Sequence, residues 1–169
     1  MQRIAKFEKV SFEQFEKDFC KAFPNADVKA VYEALKLPKR ATKASAGYDF
    51  YAPVAFTLNP QETIKIPTGI RAWMEYGYVL LLAPRSSLGF KYRMQLDNTI
   101  GVVDADYYES DNEGHIFIKV TNDSKEAKAF TIQPGEGFAQ GIFMAYGITI
   151  DDEADAKRNG GFGSTNQSL

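Results

Sequence analysis

His115-Ile116-Phe117-Ile118-Lys119-Val120 sets Ile116, Ile118 and Val120 on one side of an extended chain and His115, Phe117 and Lys119 on the other. A period of two marks a half-buried β-strand, whose successive side chains point to opposite faces. Thr63-Ile64-Lys65-Ile66 repeats the pattern. Outward from these two stretches, short runs rich in Val, Ile, Phe and Tyr recur from Tyr48 onward. They are punctuated by Asn59-Pro60, Pro67-Thr68-Gly69, Tyr76-Gly77, Asn112-Glu113-Gly114 and Gln133-Pro134-Gly135. Many short strands with no interleaved helices predict a mostly-β fold: a sandwich, jelly roll or barrel. On this pattern His115 is expected at a surface position of a strand.

The N-terminal part has a different period. After a first strand at residues 3–10, Ser11 and Gln14 are spaced as a capping box, and Phe12, Phe15, Phe19 and Phe23 fall on one helical face. Pro24 ends that helix. Asn25 or Asp27 can cap a second, in which Val28, Val31, Tyr32 and Leu35 share a face before Pro38. The expectation is a helical hairpin at 11–36, inserted into a single domain of residues 1–169. Its phenylalanine stripe packs on the β-body or a neighbouring subunit, or else meets a protein partner. The polar, glycine-rich stretch at 151–169 is expected to form a C-terminal arm.

Composition narrows the chemistry. With 169 residues, 44% hydrophobic and 25% charged, the chain suits one conventional core. A net charge of −2 offers no basic field for nucleic acid, so a small phosphorylated ligand fits better. The longest apolar run, residues 78–84, is far short of the roughly 20 residues that span a bilayer, so no membrane segment is expected. One cysteine, Cys20, and an N-terminus without an apolar signal core point to the cytoplasm. One histidine and one cysteine cannot build a His/Cys zinc site, leaving carboxylates, hydroxyls, arginine and a hard, oxygen-bound metal as the catalytic repertoire.

Four segments gather polar residues, glycine and turns where simple alternation would otherwise run. Ser45-Ala46-Gly47-Tyr48-Asp49 places a carboxylate at a strand start, as a turn residue or a metal-site residue. Pro84-Arg85-Ser86-Ser87-Leu88-Gly89 places a guanidinium and two hydroxyls at a glycine turn, as a solvated turn or a phosphate grip. In Leu96-Asp97-Asn98-Thr99-Ile100-Gly101-Val102-Val103-Asp104-Ala105-Asp106-Tyr107, the Val-Val pair suggests that Asp104 sits at the edge of a dry pocket, where it could deprotonate a water. Asn98 is either a turn residue or a donor and acceptor for a nucleobase edge. In Gly160-Gly161-Phe162-Gly163-Ser164-Thr165, the glycines let main chain approach phosphates and a lone Phe can cover a base.

The order Asp49, Arg85-Ser86, Asn98 to Tyr107, Gln140, Phe162 to Thr165 resembles the five motifs of the trimeric dUTPase family, over some three quarters of the chain. The resemblance implies a jelly-roll subunit, a homotrimer with sites shared between chains, and hydrolysis of dUTP to dUMP and pyrophosphate with Mg²⁺. It implies that Asp49 holds the ion through water, that Asp104 is the catalytic carboxylate, and that Arg85, Ser86, Ser87 and Gln140 grip phosphates. Asn98, with the main chain of Ile100 and Gly101, would read uracil, and Tyr107 would pack on the deoxyribose. Phe162 would close over the base, while Arg158, Gly163, Ser164 and Thr165 would bind phosphates from the arm.

The chain departs from the family pattern in places. Gly137 stands where an arginine is common, and Lys157 stands where an arginine is expected, with Arg158 beside it. The stretch from Asp104 to Gln140 is long, which predicts an extended hairpin around residues 111–129. Two rivals share the fold. A dCTP deaminase needs a catalytic glutamate where this chain offers Asp104 and Asp106, and a nucleotide-gated regulator would use the helical hairpin to bind a protein.

Overall fold

The computed structural model describes residues 2–155. Strand β1 (Ala5–Lys9) leads into helices α1 (Phe12–Ala22) and α2 (Val28–Ala34). Next come β2 (Lys39–Arg40), β3 (Tyr48–Tyr51), β4 (Phe56–Leu58), β5 (Thr63–Pro67), β6 (Ile70–Met74) and β7 (Tyr78–Pro84). A short helix, α3 (Ser86–Tyr92), then precedes β8 (Met94–Leu96), β9 (Gly101–Val103), β10 (Phe117–Asn122), β11 (Phe130–Ile132) and β12 (Gly137–Ala145). The fold is mostly β.

Antiparallel pairing organises the strands into a five-stranded sheet, β2-β3-β12-β7-β9, a three-stranded sheet, β5-β10-β8, and the pairs β1-β6 and β11-β4. Alternation decides which faces meet. Leu80 and Leu82 of β7, Phe50 of β3 and Phe138 of β12 point inward, opposite Ile118 and Val120 of β10, and each is 1% exposed or less. Burying side chains of this size contributes about 1.5–3 kcal/mol apiece before entropy is charged against it.

The two helices form a second, smaller core. Ser11 caps α1, its Oγ accepting from Gln14 N–H at 3.1 Å. The reciprocal half of the capping box is not made, because the Gln14 side chain donates to Asp18 instead. Glu113 takes that role from far along the chain, accepting from Ser11 N–H at 2.7 Å and from its hydroxyl at 2.6 Å. Asp27, rather than Asn25, caps α2. Phe15 and Phe19 are fully buried against Val10, Tyr32 and Leu35, so the phenylalanine stripe is largely consumed inside the chain.

Three local expectations are corrected. Residues 84–89 do not form a glycine turn. Arg85 stands at the N-cap of α3, Gly89 lies inside that helix, and Arg93 ends it in the left-handed region at φ 50°. Residues 111–129 are not one extended hairpin, because β10 runs through them and pairs with β5 and β8. His115 is not a surface strand residue: β10 begins at Phe117, and α1 packs over His115 to bury it completely.

The buried imidazole ties α1 to the β-body. Its Nε2 accepts from Gly69 N–H at 2.8 Å, which makes Nδ1 the protonated nitrogen, donating to Asp18 Oδ2 at 2.7 Å. Burial pushes the His115 pKa below its ordinary 6.5, overriding the upward pull of Asp18. Below that pH the unfolded chain binds a proton that the folded chain refuses. Stability from this site is therefore complete above 6.5 and falls as pH drops toward the depressed folded value. Melting temperatures of the wild type and of His115→Gln, followed from about pH 8 to about pH 5, should converge on acidification. Parallel curves would contradict the assignment.

Candidate active site

At one end of the five-stranded sheet, β3, β12 and the start of α3 bring Asp49, Gln140 and Arg85 together. Register sets Gln140 beside Asp49 on one side and Ala83 on the other. The Arg85 guanidinium lies with Nε 3.7 Å from Asp49 Oδ1, and its Nη1 donates to the Gly137 carbonyl at 3.4 Å. Gln140 donates to the Pro84 carbonyl at 3.3 Å. Asp49, Arg85 and Ser87 line a cleft of about 470 Å³, together with Lys91 of α3, Tyr51 and Glu136. Ser86 opens α3 and is exposed beside it. A guanidinium, an ammonium and helix-edge hydroxyls beside the carboxylates of Asp49 and Glu136 form a setting for phosphate oxygens and a cation.

A second cleft, of about 400 Å³, lies beside the β8–β9 turn and is lined by Asn98, Gly101, Leu82, Lys65 and Phe117, among others. Asn98 is a turn residue. Thr99 N–H closes the turn onto the Leu96 carbonyl at 2.9 Å, with Thr99 at φ 65° and Ile100 exposed. Gly101 is required by packing, since a Cβ there would come within 2.9 Å of Leu82 Cβ on the neighbouring strand. The two clefts share no lining residue.

Asp104 follows β9, at the N-cap of a 3₁₀ turn over Ala105–Glu109, and is exposed rather than set in a dry pocket within the chain. Tyr107 in that turn is 3% exposed. Its hydroxyl donates to the His115 carbonyl at 2.7 Å and accepts from Asn112. The β7–β9 register puts Val103 opposite Leu80, and so Asp104 level with Val79. Arg85 lies six residues further on, just past the end of β7, roughly 20 Å away at about 3.3 Å per residue. The chain thus holds its phosphate-type cleft and Asp104 at opposite ends of one strand. Arg158, Phe162, Gly163, Ser164 and Thr165, with Lys157, lie outside the described residues.

Sequence reasoning missed Lys91, Tyr51 and Glu136. Lys91 stands four residues after Ser87 and shares its helical face, a signal hidden by reading the segment as a turn. Glu136 directly follows Gln133-Pro134-Gly135, which reads only as turn punctuation.

The dUTPase family model matches residues 33–166. The chain belongs to the dUTPase family. The deoxyuridine 5′-triphosphate nucleotidohydrolase of Lactococcus lactis is 43% identical over 134 residues, 78% of this chain and 88% of that protein. The crystal structure of the Streptococcus mutans dUTPase is similar, with a TM-score of 0.63 at 33% identity, covering 85% of this chain and 97% of that one. A dUTPase from phage phi11 of S. aureus, described with a structural Mg(II) ion, shares the fold at TM-score 0.63 and 19% identity, over 91% of this chain and 98% of that one.

In this dUTPase, Gly101→Ala should lower unfolding free energy by about 1–3 kcal/mol, as overpacking against Leu82 pushes β9 from β7. Urea denaturation checks this, and an unchanged midpoint would show that the strand pair has slack.

Proposed function

We propose that this dUTPase hydrolyses dUTP to dUMP and pyrophosphate in sites assembled from three copies of the chain, with a water oriented by Asp104 as the nucleophile. The observation that carries the reading is the separation of Arg85 from Asp104 by roughly 20 Å of β7. Phosphates gripped beside Arg85 and a water held at Asp104 are then brought into one site by different copies of the chain.

The outer face of the five-stranded sheet supports self-association. Leu81 lies between Val102 and Ile142, and Val79 beside Met144, on the face opposite buried Leu80 and Leu82. Val102 is 48% and Met144 49% exposed in the single chain, an apolar patch that a second copy would cover.

In the assembled site, Arg85, Ser86, Ser87 and Gln140 hold phosphate oxygens, with Arg158, Gly163, Ser164 and Thr165 contributed by the arm at 151–169. Asn98, with the main chain of Ile100 and Gly101, reads the uracil edge, and Phe162 covers it. Tyr107 is the wall against the deoxyribose. With its hydroxyl tied to His115 and Asn112, the ring has little freedom to make room for a 2′-hydroxyl. Asp49 is the carboxylate at ion-pair distance from Arg85, and among the described residues no three His, Cys, Asp or Glu side chains cluster as a cation cage. That donor set fits Mg²⁺ carried in by the triphosphate and held at Asp49 through water, since magnesium keeps much of its hydration. When bound, the ion supplies neutralisation of phosphate charge.

Asp104 accepts a proton from the water as its oxygen bonds to the α-phosphorus. The bond from phosphorus to the α,β-bridging oxygen breaks in line, and pyrophosphate leaves with the electron pair, its charge met by Arg85 and the arm. Among the described residues no helix is long and apolar enough to cross a membrane. The single cysteine, Cys20, is the feature on which we assign the activity to the cytoplasm. Asp104→Asn should retain dUTP binding while kcat falls by about 10²–10⁴-fold, the usual contribution of a general base. Turnover close to wild type would remove Asp104 from this role.

A further inference from the structure

The loop Gln133-Pro134-Gly135-Glu136-Gly137 passes beneath two cationic side chains, and both of its glycines make room for them. A Cβ on Gly137 would stand 3.3 Å from Arg85 Nη1, and a Cβ on Gly135 would stand 2.8 Å from Lys36 Nζ. Arg85 is engaged with Asp49 and with the Gly137 carbonyl. Lys36 is not so engaged. Among the described residues its ammonium has no carboxylate at ion-pair distance and rests only over the Tyr51 ring, 5.7 Å from the centroid. The nearby Glu136 carboxylate is occupied in its own turn, accepting from Gln133 N–H at 2.8 Å.

Tyr51 and Gly135 belong both to the small recess that contains Lys36 and to the larger cleft of Asp49 and Arg85, so the ammonium stands at the rim of that cleft. Lys36 directly follows Leu35, which caps the end of α2, and Leu35 is packed into the second core with Phe15 and Phe19. The main chain that carries the lysine is therefore anchored, although its side chain reaches outward. Charge counting gives the ammonium a purpose. Among the described residues that line the two recesses, Arg85 and Lys91 balance Asp49 and Glu136, and Lys36 adds the surplus positive charge. A polyanion needs that surplus.

We propose that Lys36 binds the β,γ-phosphate end of dUTP, so that the segment following the two N-terminal helices supplies part of the substrate site. The inference rests on the dUTPase reading above and deepens it. An ammonium on a flexible stem serves as a movable point charge toward phosphate oxygens, complementing the fixed fork of Arg85.

The test is steady-state pyrophosphate release by full-length Lys36→Gln and Lys36→Arg with Mg²⁺ present. In Lys36→Gln, KM for dUTP should rise about 5–10-fold with kcat nearly unchanged, and inhibition by pyrophosphate should weaken in parallel. Inhibition by dUMP, which lacks the distal phosphates, should stay the same. Lys36→Arg should keep most of the affinity, and raising the KCl concentration should shrink the difference between wild type and Lys36→Gln. An unchanged KM in Lys36→Gln overturns the proposal, as does equal weakening of dUMP and dUTP, or a lowered melting temperature that accounts for the loss. Failure of the wild type itself to hydrolyse dUTP would instead sink the reading on which the proposal rests.

Discussion

The hydrogen-bond register of β7 against its two neighbours is the constraint on which the rest depends. β12 pairs along the whole of β7 and carries Gln140 to its C-terminal end, while β9 pairs only with Leu80 to Leu82 and delivers Asp104 toward the other end. Because side chains alternate along a strand, a slip of one residue would turn Leu80 and Leu82 out of the core. Burial therefore fixes the register, and the register fixes the distance between the phosphate-type cleft and Asp104. The chemistry proposed here inherits its need for several chains from hydrophobic packing, not from any property of the catalytic groups.

Two polar clamps hold the N-terminal helices to this frame. His115 joins Asp18 of α1 to the Gly69 backbone, and Glu113 completes the N-terminal cap of α1 through Ser11. Both clamps come from the turn between the 3₁₀ segment and β10, the same region that ties down the Tyr107 hydroxyl. The helices, the wall assigned to the sugar and the end of α2 that carries Lys36 are thus parts of one connected structure. A substitution in α1 can reach the site through backbone position without touching substrate.

The strands were legible because their signal is local. Ile116, Ile118 and Val120 alternate whatever else the chain does, and so do the residues of β5. His115 was misread because its burial comes from a helix nearly a hundred residues earlier, which an alternating pattern cannot report. The α3 segment was misread because Gly89 resembled a turn glycine, whereas the helix is ended by Arg93 in the left-handed region. Asp49, Arg85, Asn98 and Asp104 were legible as candidates from residue type and order. Their separation in space, with Asp49 and Arg85 in one cleft, Asn98 in the other and Asp104 lining neither, was not, because order along the chain is one-dimensional and the separation is a matter of register. Lys36 carried no motif and became visible only once the loop at Gly135 and Gly137 was placed in space, and Lys91 only once residues 86–92 were seen to be helical.

The central claim, that one working site draws on different copies, is most directly tested by mixing two inactive chains. Arg85→Ala lacks the phosphate grip and Asp104→Asn lacks the base, so neither homotrimer should turn over dUTP. Unfolded together in equal amounts and refolded, they should assemble at random into parental and mixed trimers, so that about a quarter of all sites combine an intact Arg85 with an intact Asp104 from a neighbour. Recovery of roughly that fraction of wild-type pyrophosphate release is the predicted result. Mixed trimers that form but remain as inactive as the two parents would contradict the account.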